Sequence, residues 1–207
     1  MYYFEATKSK LEQITGVARL SARQVKKHIR KRKPLAVFFD ANGYVPNNPK
    51  FPFLHYRNVV SLTEAVDPAA VFESLFKTNG WIGAWRNGIY DYIHFHPRTH
   101  EVLGIARGRA RVRFGGNRGK AVSLRLGDVV ILPAGTGHQA LQASKDLLVV
   151  GAYPVSGKYD EFRARPADHA KALRMISKVR APTKDPVFGG KGPLKRLWKR
   201  MRGRTNS

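Results

Sequence analysis

The chain has 207 residues, no cysteine, 43% hydrophobic residues and a net charge of +24. That length suits one domain with short appendages, and the hydrophobic content is enough to build a core. The missing cysteines exclude disulfides and thiolate metal sites, and with no apolar run of about eighteen residues a membrane-spanning helix is excluded too.

The N-terminus, MYYFEATKSK, has no basic start followed by an apolar stretch. A secretory signal is therefore not expected, and a cytoplasmic location is. Residues 1–33 carry a net charge of +8 and residues 187–207 carry +7. These ends are read as a basic N-terminal extension (1–33) and a basic C-terminal tail (187–207) around a domain over 34–186. Solvated tails are the simplest reading; nucleic acid or an anionic membrane face is the partner such charge would attract.

Helical character runs through residues 8–33, with Leu11, Ile14 and Ala18 on one face, weakly continued by Val25 and Ile29, until Pro34 closes it. Leu35 to Phe39 reads as a first strand before the turn Asp40-Ala41-Asn42-Gly43, and Val45 to Pro49 as an extended loop. Asp67 is a good N-cap and Pro68 a good first-turn residue. Val71, Phe72, Leu75 and Phe76 then form one apolar stripe, ended by Gly80, on a helix expected to pack outside the main β-structure.

From Trp81 to Tyr153 the pattern is strand. Eight short runs (81–85, 89–95, 102–105, 110–114, 121–126, 129–132, 139–141 and 147–153) are separated by Gly, Pro or charge, which suits a sandwich or jelly roll. Arg109, Arg111 and Arg113 alternate with Ala110, Val112 and Phe114, a half-buried strand whose basic outer face reads as solvated. Gly115 to Gly119 is a turn; no helix follows it, so it is not a phosphate loop. Pro166 to Val179 has helix spacing, with Ala170, Leu173 and Ile176 in register. Asp185 to Leu194 is a Gly/Pro loop. Leu194, Leu197, Trp198 and Met201 then give the tail a short stripe suited to its own domain or a partner subunit.

Two stretches carry chemistry. In GIYDYIHFHPRTHEVLGIARG, Gly88 to Gly108, His94 and His96 are two apart and leave one face of a strand. Pro97, Arg98 and Thr99 break the strand, and Glu101 opens the next run, able to return a carboxylate to the same point. In GDVVILPAGTGHQALQ, Gly127 to Gln142, a strand ends at Pro133 and a Gly turn delivers His138. Three imidazoles and a carboxylate suit a borderline divalent ion: Fe, Mn, Ni, Co or Zn. His100, beside Glu101, faces the other way and reads as a supporting or surface residue. Tyr90 and Tyr92 share strand parity with His94, and Gln142 with His138, so all three are candidates for the wall of the same cavity.

These stretches resemble the two motifs of the cupin superfamily. The first is matched by Gly88, His94, His96, Glu101 and Gly108, and the second by Gly127, Pro133, Gly135 and His138. Gln142 stands where the second motif has Asn, which lengthens the arm but leaves the ligands untouched. The wider wording, roughly residues 37 to 194, resembles the YjlB-like single-domain cupins.

The resemblance implies an all-β fold, a double-stranded β-helix (jelly-roll) barrel with a few peripheral helices and one metal ion inside. It does not imply one reaction. Three readings stand. One is a metal-dependent enzyme (dioxygenase, isomerase or decarboxylase type) on a small oxygen-bearing molecule. A second is a non-catalytic metal or small-molecule binding or sensor module. The third is a barrel tethered by its basic ends to nucleic acid or anionic membrane. The expected partners are a small-molecule ligand or substrate and, as an assembly state, a homodimer. With no G-x-S-x-G and no cysteine, any chemistry falls to the metal.

Overall fold

A computed structural model describes residues 20–62 and 67–199. The helical face at Leu11, Ile14 and Ala18, and Met201, lie outside the described residues. Four helices are formed among the described residues: α1 (Ala22–Lys27), α2 (Pro68–Thr78), α3 (Pro166–Ile176) and α4 (Pro193–Lys199). The strands are β1 (Leu35–Val37), β2 (Phe53–Tyr56), β3 (Trp81–Asn87), β4 (His94–Phe95), β5 (Glu101–Arg107) and β6 (Arg109–Phe114). They continue with β7 (Lys120–Arg125), β8 (Val129–Leu132), β9 (His138–Ala143), β10 (Leu148–Pro154) and β11 (Phe162–Arg163).

Two antiparallel sheets result. The first has six strands in the order β1-β2-β8-β5-β10-β3, the second five in the order β11-β4-β9-β6-β7. This is the expected jelly roll, although among the described residues hydrogen-bonded ladders do not close the two sheets into one barrel. Between the sheets lies an apolar interior. Phe53, Leu103, Ile105, Val130, Leu132 and Val149 enter it from the first sheet, and Ala110, Val112, Phe114 and Leu124 from the second.

The first sheet is buried on its other face as well. Leu54, Tyr56, Val102, Val129, Ile131 and Val150 pack there against Val71, Phe72, Leu75 and Phe76 of α2. That explains why β8 reads VVIL without alternation: a strand covered on both sides has no polar face. The second sheet has one wet face, and β6 alternates accordingly. Gly104 in β5 allows the helix its close approach, because a Cβ there would stand 2.4 Å from the Phe72 ring. The α2 N-terminus is capped as anticipated: the Asp67 carboxylate accepts from the Ala69 N–H at 3.0 Å.

The described parts of the two basic ends pack on the domain. Val25 of α1 is buried in the outer core, and the Arg30 N–H donates to the Val59 carbonyl at 2.8 Å. Leu194 and Trp198 are buried in the same core. The Trp198 ring stacks on Phe51 at 4.8 Å and its Nε1–H donates to the Pro52 carbonyl at 3.0 Å. Asp185, fully buried, ties this segment down by accepting from the Tyr56 hydroxyl (2.5 Å) and the Val187 and Leu194 N–H groups (2.8 and 3.2 Å). The amphipathic stripe read in the tail thus covers its own domain, and residues 20–33 are not a free extension.

Other elements differ in detail from the sequence reading. The run 89–95 keeps only β4 as strand. β2 and β11, which show no alternation, add a strand to each sheet. In α3 the buried face is Ala172 and Ile176, whereas Leu173 is 44% exposed and Ala170 also faces solvent. The face is set by Phe95 and Phe162, against which Ala172 and Ile176 pack.

Because Trp198 is buried at one end of the chain, Trp198→Ala should cost about 3–5 kcal/mol in urea unfolding. A loss under about 1 kcal/mol would show that the C-terminal helix only rests on the domain.

Candidate metal centre

β4 and β9 are neighbours in the second sheet, and the register sets His94 directly opposite His138. The two imidazole centroids are 4.0 Å apart. His96, two residues past His94, leaves the same face. The turn after β8 delivers His138, and Gly135 makes it possible. With φ at +89° it adopts a backbone that favours glycine, and its N–H donates to the His96 carbonyl at 2.9 Å. That bond joins the two halves of the site.

Glu101 comes from the other sheet. It is the first residue of β5, paired with Leu132 of β8, and its Oε2 lies 3.4 Å from Nε2 of both His96 and His138. His94, His96 and His138 offer ligand atoms that all lie within 4.8 Å of one another, and all three are buried. The four side chains named from the motifs therefore converge on one point between the two sheets.

The rings are oriented as ligands of an ion would be. Nδ1 of His94 donates to the Tyr92 carbonyl (3.2 Å), Nδ1 of His138 to the Thr136 carbonyl (3.2 Å), and Nδ1 of His96 to the Asp160 carbonyl. With each Nδ1–H committed to the main chain, each Nε2 faces the centre and offers it a lone pair once deprotonated. Glu101 Oε2 is buried without a hydrogen-bond partner. Atoms each about 2.1 Å from one ion stand about 3.0–3.4 Å apart at octahedral or tetrahedral angles, the scale of the Glu101 contacts. A buried orphan oxygen among imidazole nitrogens fits a divalent cation.

Electrostatics follow the same geometry. Burial, then the neighbouring His96, pushes His94 below the ordinary imidazole value, and burial with both other histidines pushes His138 well below it. Burial also disfavours charge on His96, but Glu101 and the Asp160 carbonyl outweigh it and raise that imidazole to about 9. Without a cation, a protonated His96 facing Glu101 is the stable arrangement.

Around this centre stand aromatic groups. Tyr90 and Tyr92 stack at 4.9 Å and both rings meet His94, at 5.1 and 5.6 Å. They do so from a loop, not by strand alternation. Gln142 is exposed: β9 has an irregularity between Ala140 and Gln142 in its pairing with β6, which resets the parity that linked it to His138.

His100 is buried, not at the surface. Its Nδ1 accepts from the Ala134 N–H (2.9 Å), so Nε2–H donates to the Arg180 carbonyl (3.1 Å), and its ring lies against Trp198. It turns away from the centre and supports the strand ends.

Four residues near the centre went unread in the sequence. Tyr153 is the penultimate residue of β10, and its hydroxyl accepts from Trp85 Nε1 at 2.9 Å. Burial and Glu101 raise its pKa, so it stays a phenol. Tyr159 lies 5.3 Å from the His96 ring, Asp160 holds that ring through its carbonyl, and Glu161 accepts from Tyr92 at 3.1 Å. The available signal was local: KYDEF puts two aromatics and two adjacent acids into an otherwise basic chain, just after the last long strand.

Known proteins are similar to this chain in sequence. A family model described as Cupin matches residues 84–165. The chain is 35% identical over 168 residues to the Uncharacterized protein YjlB of Bacillus subtilis, covering 81% of this chain and 98% of that one. Among solved structures, a double-stranded β-helix protein from Klebsiella pneumoniae overlaps 72% of this chain and 98% of its own, at 14% identity and a TM-score of 0.34. A variant of Bacillus subtilis oxalate decarboxylase overlaps 54% of this chain and 27% of its own, at 21% identity and a TM-score of 0.33.

Burial holds His100 at about 4 in the folded state, below the roughly 6.5 of an unfolded chain. Between those values the unfolded state binds the extra proton. Stability from this residue is therefore complete above about pH 6.5 and falls as pH drops towards 4, by about 3 kcal/mol. His100→Gln should flatten the pH dependence of the urea midpoint over that window. An unchanged slope would mean that His100 does not stay neutral in the folded protein.

Proposed function

We propose that this chain, which belongs to the cupin family, is a metal-dependent cupin acting on a small oxygen-bearing molecule. His94, His96 and His138 through Nε2, and Glu101 through Oε2, hold one divalent ion. The observation that carries this reading is the set of four converging donor atoms: three Nδ1–H groups are spent on main-chain carbonyls and the Glu101 oxygen is buried with no partner.

Bound there, a divalent ion supplies Lewis-acid polarisation of a substrate oxygen or, if it is redox-active iron or manganese, dioxygen chemistry. The chain's own residues do the rest. Glu101 lowers the charge of the site and is held rigidly by the doubly buried first sheet. The Asp160 carbonyl fixes the ring of His96, and the Tyr92 carbonyl that of His94. Tyr90 and Tyr92 form a flat wall beside His94. The Tyr153 phenol, kept protonated beside Glu101, is placed to donate a hydrogen bond into the site.

Metal analysis of untagged protein should find about one iron, manganese, nickel, cobalt or zinc per chain. Any of His94→Ala, His96→Ala or His138→Ala should lower that content at least tenfold. Glu101→Gln should lower it less, since an amide oxygen still coordinates. Full metal content in all three alanine variants would sink the site.

Loading should also release a proton. His96 is held protonated up to about pH 9 without metal, and its Nε2 must give up that proton to coordinate. Apparent affinity should therefore rise with pH up to about 9. Calorimetry at pH 7.5 in two buffers of different ionisation enthalpy should return about one proton per ion bound, and a value near zero would contradict the His96–Glu101 pairing.

A further inference from the structure

The outer face of the β6–β7 hairpin carries positive charge that the fold does not use. Residues 107–125 contain seven Lys/Arg, six of them Arg, and no Asp or Glu. On β6, Arg109, Arg111 and Arg113 point away from the interior that receives Ala110, Val112 and Phe114. Arg125 stands directly opposite Arg109, whereas Lys120 stands opposite the interior residue Phe114, so the outer face rests on Arg109, Arg111, Arg113 and Arg125. Two like charges directly opposed on a sheet cost stability. No ion pair or side-chain hydrogen bond among the described residues offsets this for any of these cations. Asp128 is buried and committed to His55, the Asn58 N–H and the Arg125 N–H. Asp146 borders the face at Gly108, where Ser144 and Leu147 also close in.

The chemistry of the face selects its partner. It exposes arginine, whose planar fork suits phosphate oxygens. Strand neighbours two apart repeat at about 6.7 Å, about two steps of the roughly 3.4 Å axial rise per phosphate of one DNA strand. Its polar neighbours are Ser123, Gln139 and Gln142, paired beside Arg111 and Arg113. Within 107–126 Leu126 alone is a large exposed apolar side chain among the described residues, so the face lacks the array of insertion groups of an amphipathic membrane surface. A second copy of the same face would be repelled.

We propose that this sheet face docks the phosphate backbone of double-stranded DNA without regard to base sequence. It is a surface separate from the metal centre and from the basic ends of the chain.

The test is fluorescence polarisation of the full chain on a labelled 20-base-pair DNA duplex between 50 and 200 mM salt, beside a triple variant, Arg109→Gln/Arg111→Gln/Arg125→Gln. Each phosphate contact adds about 0.9 to the log–log salt slope. The variant should lose about 2 to 3 from that slope and bind at least tenfold more weakly at 100 mM salt. A control with equal charge loss on exposed positions elsewhere, Arg165→Gln/Arg174→Gln/Lys178→Gln, should change the slope by less than about 1. Unchanged melting temperature and metal content show that both variants are folded. The proposal is overturned if the duplex is not bound, if the control matches the face variant, or if the face variant keeps the wild-type slope. It is also overturned if duplex RNA, or vesicles of phosphatidylcholine with phosphatidylserine, are bound more tightly than DNA through these arginines.

Discussion

The first sheet is buried on both faces, and the site depends on that constraint. Apolar side chains of β2, β5, β8 and β10 fill the interior on one side and meet α2 and the chain ends on the other. A sheet packed in this way has little freedom to slide, because a one-residue slip would turn every side chain to the wrong layer. Glu101 starts a strand of that sheet, and its carboxylate inherits the rigidity. The histidines come from the second sheet, which has one wet face. The centre is thus the place where a fixed carboxylate meets three imidazoles that the main chain has already oriented.

The energetic logic of the centre is asymmetric. Burying Glu101 beside imidazoles is costly unless the charge is matched. Without a cation, the match is a proton on His96, whose Nε2 stands 3.4 Å from the same Glu101 Oε2 that makes no hydrogen bond. The packing around the centre therefore holds the donors in place before any ion arrives. His100 contributes from behind. It bonds the Ala134 N–H and the Arg180 carbonyl, tying the turn that leads to His138 to the segment after α3.

Charge is distributed by a different rule from apolar side chains. The described parts of both basic ends bury their apolar residues and turn their cations outward, so Val25, Leu194 and Trp198 act as core although they lie in the most charged stretches of the chain. The outer face of the β6–β7 hairpin is exposed and basic. Its arginines are compatible with the fold because alternation keeps them off the interior.

Residue spacing alone made legible those features in which an interval along the chain dictates geometry. The interval between His94 and His96, the turn Pro133-Ala134-Gly135 before His138, and the run of short strands from Trp81 to Tyr153 made the sheets and the four converging side chains legible. The cap at Asp67-Pro68 and the stripe after it did the same for α2. Long-range packing set the rest. β2 and β11 escaped notice because a strand of two to four residues, covered or clipped, has no alternation to show. Tyr153, Tyr159, Asp160 and Glu161 reach the centre through a fold-back that no local period encodes. Gln142 left it because of one irregularity in β9, and Leu173 faces water because Phe95 and Phe162 chose the other side of α3. The physical reason is common to all of these: local pattern constrains which way a side chain leaves its own element, while long-range packing decides what stands opposite it.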